Sequence, residues 1–203
     1  MTVTKRTKHD VVWEFRCNEI LTAARKLFAK KGFAEATMEE IAAATGLAKG
    51  TLYLYFKSKR DVYLKTLQHG TAELLELAAG NVQQAIGIRA KVRALVETRV
   101  KYADENRDFF KIYLTEFGGG THPAAGSKEF RDLPLKQAAV IENLLRGGAE
   151  SGELGPLDFE AAAFTIQDMV RSLITRRLLG WSKNERNHDV DFLCGFICGA
   201  IGC

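Results

Sequence analysis

Two short helical segments that meet at a glycine constrain the fold of this chain more than any other feature. The first begins at Thr37, where the spacing of Thr37 and Glu40 predicts a capping box at a helix N-terminus. Gly46 ends it, because glycine tolerates the left-handed backbone of a tight turn. The second runs from about Lys49 to Phe56. Two such helices around a glycine turn are typical of a helix-turn-helix, whose second helix lies in the major groove of DNA.

The side chains of the second segment divide into an inward and an outward set. Leu52 and Phe56 are spaced to pack on a preceding helix, whereas the outward positions carry lysine, threonine and tyrosine. Lysine neutralises phosphate and releases counterions, and tyrosine hydroxyls donate to phosphate oxygens. Thr51 offers a methyl group for thymine and a hydroxyl for a base edge, and Gly50 lets the backbone approach DNA closely. Packing or plain solvation is the alternative for each of these side chains.

A helix before this pair is expected to pack across both segments. Ile20 and Ala24 lie on one face of a helix over about residues 13–31, and Gly32 ends that helix. Residues 1–11 are polar and are expected to form an arm.

The remainder of the chain predicts further helices and no strands. Ser58, with Asp61 three residues on, caps a fourth helix that ends near Gly80 and is long enough to reach a second domain. Five more helices are expected over about residues 88–105, 108–117, 128–151, 159–181 and 189–202. We therefore predict an all-α fold of about nine helices. An N-terminal helix-turn-helix domain over 1–62 is joined through the fourth helix to a larger helical domain over 63–203.

Charge and composition narrow the class of protein. Residues 1–60 hold 12 Lys/Arg and 6 Asp/Glu, whereas the rest holds 17 and 19, so the first third suits a phosphate-binding surface. No run of about 18 apolar residues predicts a membrane span, and no secretory signal is evident, so a cytoplasmic protein is expected. The four cysteines are then expected to be reduced thiols, with no metal, cofactor or catalytic site.

The stretch from Thr37 to Lys59 (TMEEIAAATGLAKGTLYLYFKSK) resembles the helix-turn-helix of the tetracycline-repressor (TetR) family of regulators. The segment from Ile20 to Phe33 (ILTAARKLFAKKGF) is similar too, so the resemblance covers about residues 16–67. It implies a homodimer on a palindromic DNA operator, and a C-terminal pocket whose small-molecule effector releases the DNA. Leu54 departs from the family, in which many members have tryptophan or histidine.

The resemblance and the helix chemistry together nominate one set of DNA-contacting residues. The start of the second segment is expected to read bases, and the tyrosines and the following lysine to hold phosphates. The free N–H groups at the N-terminus of the first segment are expected to bind a further phosphate. The predicted DNA-binding residues are Thr37, Ala48, Lys49, Gly50, Thr51, Tyr53, Tyr55 and Lys59.

The larger domain carries candidate residues for an effector pocket and for a dimer interface. Its aromatic content favours an apolar or aromatic effector with a few polar anchors. The predicted lining is Arg99, Tyr102, Phe109, Phe110, Tyr113, Glu116, Phe117, Phe130, Phe164 and Gln167. The predicted dimer interface, on the last two helices, is Ala162, Thr165, Met169, Ser172, Leu173, Phe192, Leu193, Phe196, Ile197 and Ala200. An ordinary intramolecular core is the alternative for both sets.

Two other classes of function compete with a ligand-responsive repressor. An α-helical enzyme would need a nucleophile–base pair, metal ligands or a phosphate loop, and the sequence has no HExxH, GxxxxGK[ST] or CxxC pattern. A helical protein-binding scaffold could use the same helix-turn-helix shape without DNA. The positive charge of the first third of the chain argues against the scaffold. We therefore predict a regulator that is not an enzyme.

Overall fold

The computed structural model describes residues 7–117 and 128–203, apart from the side chains of residues 128–131. All regular structure in these two ranges is α-helical. The helices are α1 (Lys8–Glu35), α2 (Met38–Ala44), α3 (Lys49–Tyr55), α4 (Lys59–Gln84), α5 (Ile88–Glu105), α6 (Arg107–Phe117), α7 (Lys128–Glu150), α8 (Phe159–Leu178) and α9 (Arg186–Ile201). The all-α prediction with about nine helices is confirmed.

Helix α1 begins earlier than its hydrophobic pattern indicated. The Thr7 hydroxyl accepts a hydrogen bond from the N–H of Asp10 at 3.2 Å, and the Asp10 carboxylate accepts one from the N–H of Thr7 at 2.9 Å. This capping box starts the helix at Lys8, so the prediction of a polar arm over residues 1–11 is wrong for residues 8–11. Residues 1–6 of that arm lie outside the described residues. Gly32 interrupts α1 with φ 79° and ψ 170°, at the predicted break.

The helix-turn-helix forms as its spacing predicts. The Thr37 hydroxyl accepts from the N–H of Glu40 at 3.2 Å, and the Glu40 carboxylate accepts from the N–H of Thr37 at 3.1 Å. Gly46 adopts φ 67°, the left-handed conformation that glycine tolerates best. Ile41 and Leu52 are fully buried in the hydrophobic core, and α2 packs on both α1 and α3.

Helix α4 connects this small domain to the larger one. The Ser58 hydroxyl accepts from the N–H of Asp61 and caps the helix, as predicted. Its 26 residues span about 39 Å at the α-helical rise. The helix continues to Gln84, beyond the predicted end at Gly80, since one glycine lowers helix stability without ending a helix that is packed on both sides of it.

Helix α5 lies at the centre of the larger domain, against α4, α6, α7, α8 and α9. Its buried residues include Val92, Val96 and Val100, spaced by one turn along the helix. Helix α8 ends at Leu178 rather than at Trp181, because Gly180 turns the chain with φ 71°. No helix in the described part of the chain is both long enough and apolar enough to cross a membrane.

The close approach of α4 and α6 depends on a glycine. A Cβ atom added at Gly70 would overlap the ring of Phe109, which is fully buried and cannot move aside. We therefore expect Gly70→Ala to lower the free energy of unfolding by about 1–3 kcal/mol through overpacking. Urea denaturation followed by circular dichroism measures this.

Gly80→Ala, on the same helix, is the matched control. A Cβ atom there meets nothing within 4 Å, so the substitution should stabilise the helix by up to about 1 kcal/mol. Equal effects of the two substitutions would contradict the packing of α6 on Gly70.

Candidate nucleic-acid interface and ligand site

Helix α3 has one buried and one exposed face. Leu52 is buried and Phe56, just after the helix, is buried with it, whereas Tyr53 is 45% exposed and Leu54 is 71% exposed. Thr51 is half-buried, and Gly50 is exposed. The outward face therefore presents a hydroxyl group, an aromatic ring and an apolar side chain to the surroundings. Leu54 was not among the predicted contacts, although its outward position follows from the same helical spacing.

The first turns of α2 and α3 are within side-chain reach of each other. Lys49, at the start of α3, forms an ion pair with Glu39, at the start of α2. The hydrogen bond from Lys49 lowers the pKa of Glu39, and the same bond raises the pKa of Lys49. Ala48 caps α3 without a side-chain hydrogen bond. The structure thus ties the start of α3 to the first turn of α2, which Thr37 caps, and an acid already holds the predicted base-reading lysine.

Two of the predicted phosphate-binding residues contact α1. The ring of Tyr55 lies 4.3 Å from that of Trp13, measured between centroids. The Lys59 ammonium donates to the carbonyl of Ala34 at 2.9 Å and lies over the ring of Phe33. Both side chains therefore lie near the surface of the small domain and also join its later helices to α1. Trp13 was missed by the sequence reasoning, because the pattern of α1 was followed only on its inward face.

The predicted aromatic residues of α5 and α6 form one connected cluster. Neighbouring ring centroids are 4.6–6.2 Å apart, within the range of favourable aromatic pairs. The members are Tyr102, Phe109, Phe110, Tyr113 and Phe117. Phe130, on α7, was predicted to join them, but its side chain lies outside the described residues.

Polar groups adjoin this cluster on the side of α7. Arg99 is buried on α5 and donates from Nη2 to the carbonyl of Gln137 at 3.2 Å. The Tyr113 hydroxyl donates to Oε1 of the same Gln137 at 3.3 Å. Gln167, on α8, is buried, and its Oε1 has no hydrogen-bond partner among the described residues. Gln137 was missed, although a glutamine at an inward position between Leu133 and Ile141 was a readable signal.

Glu116 is buried at a different place from Arg99. Its Oε1 accepts a hydrogen bond from the Tyr63 hydroxyl at 2.6 Å, which connects α6 to the start of α4. Tyr63 and Glu116 also line a cavity of about 470 Å³ between α1, α4 and α6. The predicted polar anchors therefore separate into two locations. Tyr102 also bonds to α4, through Glu73 at 2.6 Å.

Phe164 does not lie in the interior, and this corrects its assignment to the pocket. The inward residues of α8 are Ala163, Ile166, Gln167 and Val170. The helical spacing rotates Phe164 away from them, so it is 37% exposed.

The predicted dimer residues also divide between two faces. Leu173, Leu193 and Ile197 are buried in the core of their own chain, in which α8 and α9 pack on α5, so they are not available to a partner. Phe192 and Phe196 are 67% and 57% exposed, with ring centroids 6.4 Å apart. The half-buried or exposed remainder of the predicted set is Ala162, Thr165, Met169, Ser172 and Ala200. Trp181 and Leu179 add exposed apolar area that sequence reasoning missed.

An ionic network fixes α9 against α5 and α8. Arg177 pairs with Asp104 at 2.9 Å and with Asp189 at 2.6 Å, and Ser182 and Asn184 also donate to Asp189. Burial alone would raise the pKa of Asp189, but these three donors outweigh it and lower the pKa. The carboxylate therefore stays charged and orients the helix that carries Phe192 and Phe196.

Comparison with known proteins matches a family model to the N-terminal part of the chain and another to the C-terminal part. Residues 20–66 match the family described as bacterial regulatory proteins, tetR family, and residues 86–175 match the tetracyclin repressor-like C-terminal domain. The HTH-type transcriptional repressor KstR2 of Rhodococcus jostii is 32% identical over 163 residues, which cover 75% of each protein.

Solved structures show the same fold. The fatty acid degradation regulator FadR of Bacillus halodurans superposes with a TM-score of 0.81 at 21% identity, over 96% of both chains. The transcriptional regulator FadR of Bacillus subtilis, solved in complex with stearoyl-CoA, gives 0.80 at 18% identity, over 89% of this chain and 96% of that chain.

The contact of Tyr63 with Glu116 can be tested by its contribution to stability. Tyr63→Phe should lower the free energy of unfolding by about 1–3 kcal/mol, because it leaves a buried carboxylate oxygen without its donor. Thermal and urea denaturation measure the change. Tyr53→Phe, the same substitution at an exposed position, should change stability by less than about 0.5 kcal/mol. A Tyr63→Phe variant as stable as the parent would show that this hydrogen bond does not support the junction.

Proposed function

We propose that this chain, which belongs to the tetR family of bacterial regulatory proteins, is a cytoplasmic repressor that binds a palindromic operator as a homodimer and releases it when a small apolar effector binds. The DNA-binding part of this proposal rests on the division of α3 into a buried face and an exposed face. Leu52 and Phe56 fix the helix on the small domain, while Thr51, Tyr53 and Leu54 are left facing outwards. That arrangement suits insertion of α3 into a major groove.

We assign the DNA contacts to three chemical roles. Thr51 and the backbone at Gly50 approach base edges, and Tyr53 donates its hydroxyl to a phosphate. Lys49 reaches DNA by leaving Glu39, so the ion pair competes with the phosphates for this lysine. Tyr55 packs on Trp13 and Lys59 bonds to the carbonyl of Ala34, so both side chains hold α3 and the start of α4 against α1. We assign both to phosphate contacts at the edge of the DNA-binding surface.

The effector site proposed here is the aromatic cluster of α5 and α6, with Arg99, Gln137 and Gln167 as its polar members. Apolar walls with a few polar groups are the usual composition of a small-molecule site. A regulator of the same fold, FadR of Bacillus subtilis, has been solved with stearoyl-CoA, which supports a long apolar effector here.

The proposed dimer uses the exposed faces of α8 and α9. Phe192 and Phe196, with Phe164, Leu179 and Trp181, expose more large apolar surface than scattered single residues would. A two-fold dimer presents two copies of α3 to two half-sites one helical turn of DNA apart.

The DNA-binding assignment predicts a gain of affinity from one substitution. Duplexes selected from a random library by the purified protein provide the probe, and fluorescence anisotropy measures affinity across a range of salt concentrations. Glu39→Gln should tighten binding by roughly two- to five-fold, because it releases Lys49 and removes a negative charge near the phosphates. The gain should shrink as salt rises.

Glu150→Gln is the matched control for charge. Glu150 is exposed at the end of α7, in the larger domain, two residues after Gly148, which lies against Ile88 at the start of α5. The Glu150→Gln variant should bind the selected duplex with unchanged affinity. Failure of the protein to select any duplex would overturn the repressor proposal and favour a protein-binding scaffold. Equal effects of the two substitutions would overturn the assignment of Lys49.

If α8 and α9 form the dimer interface, a charged residue introduced there should shift the protein towards the monomer. Phe196→Glu should weaken self-association by about 30-fold or more, because it places a carboxylate in an apolar interface. Analytical ultracentrifugation over a dilution series measures this. Phe15→Glu replaces a phenylalanine of similar exposure on α1 and should leave the dimer intact. A dimer that is indifferent to Phe196→Glu would place the interface elsewhere.

A further inference from the structure

A cation lies buried inside the larger domain, and no acid pairs with it in the part of the chain that the structure describes. The Arg99 side chain, on α5, is only 3% exposed. Among the residues that the structure describes, no carboxylate lies within ion-pair distance of its guanidinium, although Arg177 and Arg93 elsewhere each have two. Of its five N–H donors, one bonds to the Gln137 carbonyl, and Nε is buried without an acceptor.

Such a charge is costly to bury. Burial disfavours an isolated ion strongly unless a partner and hydrogen bonds compensate it. Burial lowers the pKa of Arg99 to about 10, and the nearby Tyr113 offsets only part of this effect. The group is still charged near neutral pH, so it is a buried positive charge that has no ion-pair partner among the described residues.

The surroundings of Arg99 are suited to an anion on an apolar body. Tyr113 bonds to the same Gln137 as Arg99 does, and its ring packs on Phe110 in the aromatic cluster, which supplies apolar area. A guanidinium offers a planar fork that matches a carboxylate with two parallel hydrogen bonds. A purely hydrocarbon tail entering this interior would leave the charge as it is.

We propose that the effector carries a carboxylate that enters the interior first and pairs with Arg99, with its apolar body against the aromatic residues of α5 and α6. This inference rests on the proposed function and specifies the chemistry of its effector. It differs from the entry of a plain acyl-CoA tail, whose phosphates lie at the opposite end from the hydrocarbon terminus.

The experiment compares three ligands that share one chain. The full-length protein is titrated by calorimetry with fatty acids from octanoate to hexadecanoate, with the corresponding alcohols and with the corresponding CoA thioesters. The best acid should bind at least about 10-fold tighter than its alcohol, which corresponds to about 1.4 kcal/mol. The thioester should bind no tighter than the alcohol.

Variants then assign the preference to one residue. Arg99→Met keeps the length of the side chain and removes the charge, so the acid and the alcohol should bind alike. Its ligand-free melting temperature should be equal to or above that of the parent, because an uncompensated buried charge is gone. Arg99→Lys keeps the charge without the fork and should retain part of the preference. Arg89→Met, at an exposed position of the same helix, is the control and should change nothing.

The outcomes separate this inference from the proposed function. Equal binding of acid and alcohol by the parent, or no binding by any acid, overturns the inference. A thioester that binds tightest and is indifferent to Arg99→Met also overturns it. Anisotropy with the selected duplex, run on the same preparation, shows independently whether the protein still binds DNA. If Arg99→Met fails to fold, the parent's comparison of acid with alcohol and the Arg99→Lys variant decide.

Discussion

The contacts of Tyr63 join the two parts of this molecule. Its ring packs against Phe28 and Phe33 of α1, each at 4.9 Å between centroids, and its hydroxyl donates to Glu116 of α6. Burial, followed by the hydrogen bond to Glu116, raises the pKa of Tyr63 far above its usual range, so the hydroxyl keeps its proton and remains a donor. Because Glu116 lies one turn from Tyr113, a single rigid helix borders both the junction and the aromatic cluster.

The helices and the DNA-facing motif could be read from the sequence because local chemistry determines them. Thr37 with Glu40 and Ser58 with Asp61 specify helix starts within four residues, and Gly46 specifies the turn. Side-chain partners at long range could not be read in the same way. Nothing near Lys49 in the sequence indicates that Glu39 binds it, since that depends on how α2 and α3 cross. The same holds for Lys59 and the carbonyl of Ala34.

In the last two helices, hydrophobic periodicity does not show which apolar residues face the core of their own chain. Leu193 and Ile197 lie on the same helix as Phe192 and Phe196, and all four are apolar. A helix that is apolar on most sides does not reveal which face meets its own chain. Packing on α5 decides it, and this buries Leu193 and Ile197 while leaving the two phenylalanines exposed.

The separation of Arg99 from Glu116 matters because the two opposite charges are on adjacent helices and are both buried. Had they met, they would have neutralised each other and left an interior with no electrostatic preference for any ligand. Instead, Oε1 of Glu116 accepts from Tyr63 at the junction, although Oε2 has no partner among the described residues, and Nε of Arg99 has no acceptor among them. The acid thus connects α6 to the start of α4. The positive charge stays inside the larger domain, where none of the described residues supplies an ion-pair partner and a bound anion would.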